Sequence, residues 1–107
     1  MKEVGGLLGL CARAGRIVTG EGAALEAIRS GRAMVALLDG GASANARKAV
    51  ADAAAHYGVD LYILPAGILG DSVGRPNRMA AAVTDRGFSD KLRILLTTDE
   101  RGGALRE

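Results

Sequence analysis

Apolar residues recur along this chain with more than one period, and the changes of period mark its elements. Val4, Leu7, Leu8 and Cys11 stand at i, i+3, i+4 and i+7, the spacing of one buried helix face, and Gly15 supplies a stop. Residues 16–18 read as a short strand. Residues 21–30 read as a helix carrying Leu25 and Ile28, with Gly31 ending it, and the apolar run 34–38 follows as a second strand. Ser43 is suited to cap a third helix, in which Ala46, Val50, Ala53 and Tyr57 share one face before Gly58 ends the pattern. Residues 61–64 form a third, buried strand. Residues 66–73 make a short helix closed by Gly74 with Pro76 two residues on, and residues 79–83 a fourth strand. Phe88, Leu92 and Leu95 mark a last helix.

Helices that alternate with four short strands predict an α/β protein: a four-stranded central sheet with helices on both faces, a three-layer α-β-α sandwich. The length of 107 residues suits one domain, which we expect over residues 1–97. Residues 98–107 are polar and glycine-containing, so a frayed tail is expected there. Apolar residues make up 49% of the chain, yet Tyr57, Tyr62 and Phe88 are the whole aromatic complement. The core must therefore be built from Ala, Leu, Val and Ile, with alanine allowing close approach of elements.

Candidate chemistry narrows quickly. One cysteine, Cys11, excludes an internal disulfide and a cysteine-based zinc cage, and one histidine, His56, leaves little for a metal. Cys11 lies on the core face of its helix and reads as a small buried hydrophobe. No run approaches the roughly 18 apolar residues that span a bilayer, and no secretory leader pattern opens the chain, so a cytoplasmic protein is expected. The net charge of +2 does not by itself argue for nucleic acid. All the cations except Lys2, Lys48 and Lys91 are arginines, however, the type suited to forked contacts with phosphate or guanine.

Residues 16–28, "RIVTGEGAALEAI", run from strand through Gly-Glu-Gly into helix, the order of a dinucleotide-binding turn. Gly20 and Gly22 fit that fingerprint, and Asp39 stands where a ribose-binding acid belongs. Leu25 occupies the third glycine position, and Glu21 puts a carboxylate at the helix start that would otherwise receive pyrophosphate. No P-loop and no exposed-nucleophile turn offers another site, so neither a cofactor nor a catalytic group is expected.

Four blocks in order, "LLGLCARAGRIVTGE", "AIRSGRAMVALLDGGASANARKAV", "ILGDSVGRP" and "AAAVTDRGFSDKL", resemble the kink-turn RNA-binding ribosomal-protein superfamily and, within it, the bacterial YlxQ family. The resemblance covers nearly the whole chain. It implies a non-catalytic sandwich whose second helix start enters a bent RNA, assisted by the loop before the last strand. Carried onto this chain, those elements are Thr19, Gly20, Glu21 and Gly22, and Gly74, Arg75, Pro76, Asn77 and Arg78. Arg13, Arg16, Arg47, Lys48, Arg75 and Arg78 are candidates for a phosphate-binding rim. Where the family carries Asn-Glu and then Lys, this chain has Gly22, Ala23 and Glu26, and Gly40 and Gly41 replace a Glu-Asp pair. Side chains of glycine and alanine make no base-specific hydrogen bonds, which leaves backbone and shape readout.

Two functions stay open at this stage. One is a small protein of the ribosome or translation, binding kink-turn or ribosomal RNA. The other is a protein-interaction module, linked to a transcription-elongation or translation-initiation factor, that has lost base readout. A purely structural ribosomal protein ranks below both, since such proteins are usually more basic. A monomer is expected, on the reasoning that no long exposed apolar stripe is left once the core faces are assigned.

Overall fold

A computed structural model describes residues 1–98, 105 and 106. Its elements follow the order α1 (Lys2–Arg13), β1 (Ile17–Thr19), α2 (Glu21–Arg29), β2 (Val35–Asp39), α3 (Ala44–Tyr57), β3 (Asp60–Leu64), α4 (Ile68–Val73), β4 (Ala80–Val83), α5 (Arg86–Thr98) and β5 (Leu105–Arg106). The four expected strands are all present in one mixed sheet, ordered β1-β4-β2-β3, and the two residues of β5 add an antiparallel edge beside β3. Residues 99–104 and 107 of the expected tail lie outside the described residues; Thr98 belongs to α5, and Leu105 and Arg106 pair with β3.

Strand side chains alternate between two faces, and each face has its own helices. On one side Val35 and Leu37 of β2, Tyr62 and Leu64 of β3, and Ala81 and Val83 of β4 meet Val4, Leu8 and Cys11 of α1, Leu69 of α4, and Leu92 and Leu96 of α5. On the other, Ala36 and Leu38, Leu61 and Ile63, and Ala80 and Ala82 meet Ala24, Ala27 and Ile28 of α2 and Val50, Ala53 and Ala54 of α3. Burial on both faces is why these strands are continuous apolar runs in the sequence. The three-layer α-β-α sandwich follows directly.

Local signals set the helix ends. Ser43 Oγ accepts the Ala46 N–H at 3.1 Å, the N-cap expected from sequence, and Gly58 (φ 69°) closes α3 in the left-handed conformation. Tyr57 departs from expectation: it is 49% exposed, its ring set edge-on against His56, while Ala54 takes the buried place. Tyr57 is the last residue before the Gly58 reversal, so its side chain leaves the sheet as the chain turns. Similarly, Leu96 rather than Leu95 is fully buried on α5.

The register gives the sheet two unlike ends. β4 runs antiparallel to both β1 and β2, and β3 runs parallel to β2, so the carboxyl ends of β1, β2 and β3 gather beside the start of β4. At the opposite end, Arg93 Nη2 donates to the Met34 carbonyl at 2.6 Å and Nε lies 3.3 Å from Asp60, tying α5 to the strands there. No helix among the described residues is long and apolar enough to cross a membrane.

Candidate nucleic-acid interface

At the carboxyl end of the parallel strands, α2, α3 and α4 all begin and the segment 74–79 returns the chain into β4. Gly20 joins β1 to α2 with φ 105° and ψ 149°, backbone that L side chains rarely adopt, and its N–H donates to Ala80 O at 2.8 Å. A Cβ on Gly20 would lie 3.2 Å from Nη1 of Arg78. The guanidinium of the returning segment thus lies directly over the bare backbone of the turn. Two segments 58 positions apart in sequence, from Gly20 to Arg78, form one surface.

Arg75 reaches the same surface from the other side. It lines a shallow cleft of about 290 Å³ with Ala12 of α1, Ile17 and Thr19 of β1, Ala23 of α2 and Val73 of α4. The segment holding Arg75 is fixed by Gly70: Arg75 N–H donates to Gly70 O at 3.0 Å, and a Cβ on Gly70 would come within 2.8 Å of the Arg75 carbonyl oxygen. Only glycine leaves room there. Asn77 holds φ 63°, a left-handed position that asparagine tolerates better than most residues, so Pro76 and Asn77 form the tip of the turn between the two arginines.

Asp39 is the residue that sequence reasoning undervalued. It is 2% exposed at the end of β2, with Oδ2 accepting from Gly41 N–H and Oδ1 from Gly67 N–H, both at 2.8 Å. Its carboxylate therefore joins the start of the α3 loop to the β3–α4 loop instead of pointing outward toward a ligand. Gly40 and Gly41 fit that arrangement: a Cβ on Gly40 would lie 3.0 Å from Leu64 O, and one on Gly41 would lie 3.1 Å from Asp39 Oδ2. An aspartate followed by two glycines after an apolar strand was the available signal.

The remaining candidates divide. Glu21 and Gly22 are exposed in the first turn of α2, and a Cβ on Gly22 would meet nothing within 4 Å among the described residues, so that backbone is bare to an incoming ligand. Arg47 and Lys48 sit near the start of α3 at the same sheet end; Arg47 Nε is buried without a hydrogen-bond partner among the described residues, and Lys48 makes an exposed ion pair with Asp52 at 3.0 Å. Arg13 ends α1 one residue beyond Ala12 of the cleft, with Nη1 3.7 Å from where a Gly9 Cβ would stand. Arg16 lies just before β1, one residue from Ile17 of the cleft. Its carbonyl accepts from Thr84 N–H beyond the far end of β4, which puts its backbone roughly 13 Å of strand away from Gly20. The sequence shows adjacency to β1 but not which way β1 runs.

The single-domain α-β-α sandwich is a fold shared with known proteins. A structure described as the Giardia lamblia 15.5kD RNA binding protein superposes with a TM-score of 0.70 at 18% identity, covering 92% of this chain and 86% of that one. A protein of unknown function from Bacillus halodurans C gives 0.77 at 32% identity, covering 86% and 94%. No family model matches the chain. Over 91 residues it is 42% identical to the RNA-binding protein YlxQ of Bacillus subtilis (strain 168), covering 84% of this chain and 91% of the relative. The Enterococcus faecium protein of the same name is 31% identical over 91 residues, covering 84% and 87%. The chain belongs to the YlxQ family.

Proposed function

We propose that this protein is a small, non-catalytic RNA-binding protein of the cytoplasm, associated with the ribosome or translation, that recognises a kinked or looped RNA through the turn 19–22 and the loop 74–78. The observation that carries this reading is the Arg78 guanidinium laid over the bare Gly20 backbone at the start of α2. A sharply bent RNA brings phosphates together and opens its bases, so a helix amino terminus, glycines permitting close approach and a flanking guanidinium match its shape. The named function of the YlxQ relatives supports the same partner. Gly22, Ala23 and Glu26 replace the polar readers expected from the resemblance, so recognition rests on shape and phosphate position more than on base edges.

The test is fluorescence anisotropy with a labelled kink-turn RNA and a straight duplex of equal length, each at low and near-physiological salt. The bent RNA should bind more tightly and keep its advantage as salt rises. Replacing Arg75 and Arg78 together by alanine should weaken binding at least about tenfold and flatten the salt slope by about one per lost phosphate contact. Unchanged affinity in the double variant at low salt would show that the RNA binds elsewhere; equal, salt-erased binding of both RNAs would leave only phosphate attraction.

A further inference from the structure

Helix α1 carries three glycines within two turns, and two of them have a reason inside the chain. A Cβ on Gly5 would lie 3.0 Å from Ser72 Oγ, and one on Gly9 would lie 3.3 Å from the Ser72 carbonyl oxygen, so both let α1 lie close against α4. Gly6 has no such neighbour among the described residues, where a Cβ would meet nothing within 4 Å. A glycine inside a helix is less favourable than alanine, so one without a packing neighbour among the described residues is unexpected. Gly6 opens onto a groove of about 480 Å³ formed by Leu7 and Leu10 of α1 and Ile94 and Leu95 of α5, with Glu3 and Lys91 also at its lining. Leu10 is 49% exposed and Ile94 63%. The expectation of a monomer rested on no long exposed apolar stripe being left, and Leu10 and Ile94 are exposed together on this face.

We propose that this groove is a contact between two copies of the chain, α1 and α5 of one packed on α1 and α5 of the other across a two-fold axis. Charge selects this occupant. The patch holds one carboxylate and one ammonium around an apolar centre, so it is neutral and complementary to itself, the property that a two-fold contact requires. Each copy also brings both shapes: Leu10 is a projecting side chain, and Gly6 offers a backbone with room above it. Few large side chains take part, so the dimer is a weak one. The contact uses neither Gly20 nor Arg78, so a dimer keeps both of its glycine-arginine surfaces.

Sedimentation equilibrium of the full chain, from a few micromolar to about a millimolar, tests this. The weight-average mass should rise from 10.9 kDa toward twice that value. Ile94→Ser should weaken association at least tenfold. Gly6→Ala should do the same while raising the thermal midpoint measured at low concentration, because alanine favours the helix but closes the contact. Glu3→Lys should weaken association several-fold, and adding Lys91→Glu should restore it. A mass of 10.9 kDa throughout would overturn the proposal. So would self-association indifferent to Ile94→Ser and Gly6→Ala, which would belong to another face, and so would a groove that captures a different protein while the chain stays monomeric.

Discussion

On the α2/α3 side of the sheet the buried positions are largely alanine: Ala24, Ala27, Ala33, Ala36, Ala53, Ala54, Ala80 and Ala82 surround Ile28, Leu38, Val50, Leu61 and Ile63. On the α1/α4/α5 side leucine leads, with Leu8, Leu37, Leu64, Leu69, Leu92 and Leu96 among valines, Cys11 and Tyr62. Alanine gives up no side-chain entropy on burial and lets a helix backbone approach the sheet, but each residue removes little apolar surface from water. Leucine removes more, at some entropic cost, and its bulk holds helices further from the strands. The alanine-rich side holds α2, whose first turn carries Gly20 and Gly22; each side keeps a groove, one between α1 and α5 and one beside α3 lined by Ala51, Ala54 and Leu61. Close packing thus serves the position of the turn, and bulky packing supplies most of the burial.

This contrast can be broken by exchanging the rules. Leu92→Ala, at a fully buried position on the leucine side, removes packing that neighbours cannot fill completely, and should cost about 2–5 kcal/mol in urea unfolding. A loss under about 1 kcal/mol would mean that this side collapses around a hole and is not the principal store of stability. Next in size is the reverse change. Ala82 stands on the alanine side opposite Ala36 and Val18 in the neighbouring strands, and Ala82→Leu should cost about 1–3 kcal/mol through overpacking. The same variant should weaken RNA binding, because α2 must be pushed off β4 to admit the extra methyl groups. Lost stability with unchanged RNA affinity would separate the packing of α2 from the position of its turn.

The two sides were not equally legible in the sequence. Helix α3 could be read from Ser43 to Gly58 because caps and stops are local chemistry, and the strands stood out because burial on both faces makes them continuously apolar. What the sequence did not show depended on how elements meet. Tyr57 fits the helical period of Ala46, Val50 and Ala53 but falls where the chain turns away, and Arg16 adjoins the turn 19–22 in sequence while β1 carries it to the other sheet end. The exposure of Leu10 and Ile94 follows from the way α1 and α5 lie beside each other, which no periodicity within either helix reports. At the candidate interface, the turn and the loop could each be singled out from sequence. The contact of Gly20 with Arg78, and the burial of Asp39 between two loops, required the sheet register that joins β1, β2 and β4.

The smallest effect probes whether the leucine side excludes water. Cys11 is fully buried there, and its thiol is pushed from 9.0 up to about 11, first by burial, which disfavours the thiolate, and then by the negative charge of Asp85, against a smaller opposing backbone hydrogen bond. The raised value means that the folded chain keeps its thiol proton longer than the unfolded chain does. The contribution of this group to stability is therefore fully present below pH 9 and is lost as pH rises from about 9 through about 11, where the unfolded chain gains stability by ionising first. Urea unfolding of the wild type and of Cys11→Ala, compared at pH 7 and pH 10.5, isolates it, since the other titrating groups are common to both chains. The advantage of the wild type over the variant should shrink at the higher pH, and the native thiol should react far more slowly with a disulfide reagent at pH 8 than the same thiol in urea. A constant advantage across that range, or a native thiol as reactive as the unfolded one, would place water at Cys11 and make the leucine side looser than its burial implies.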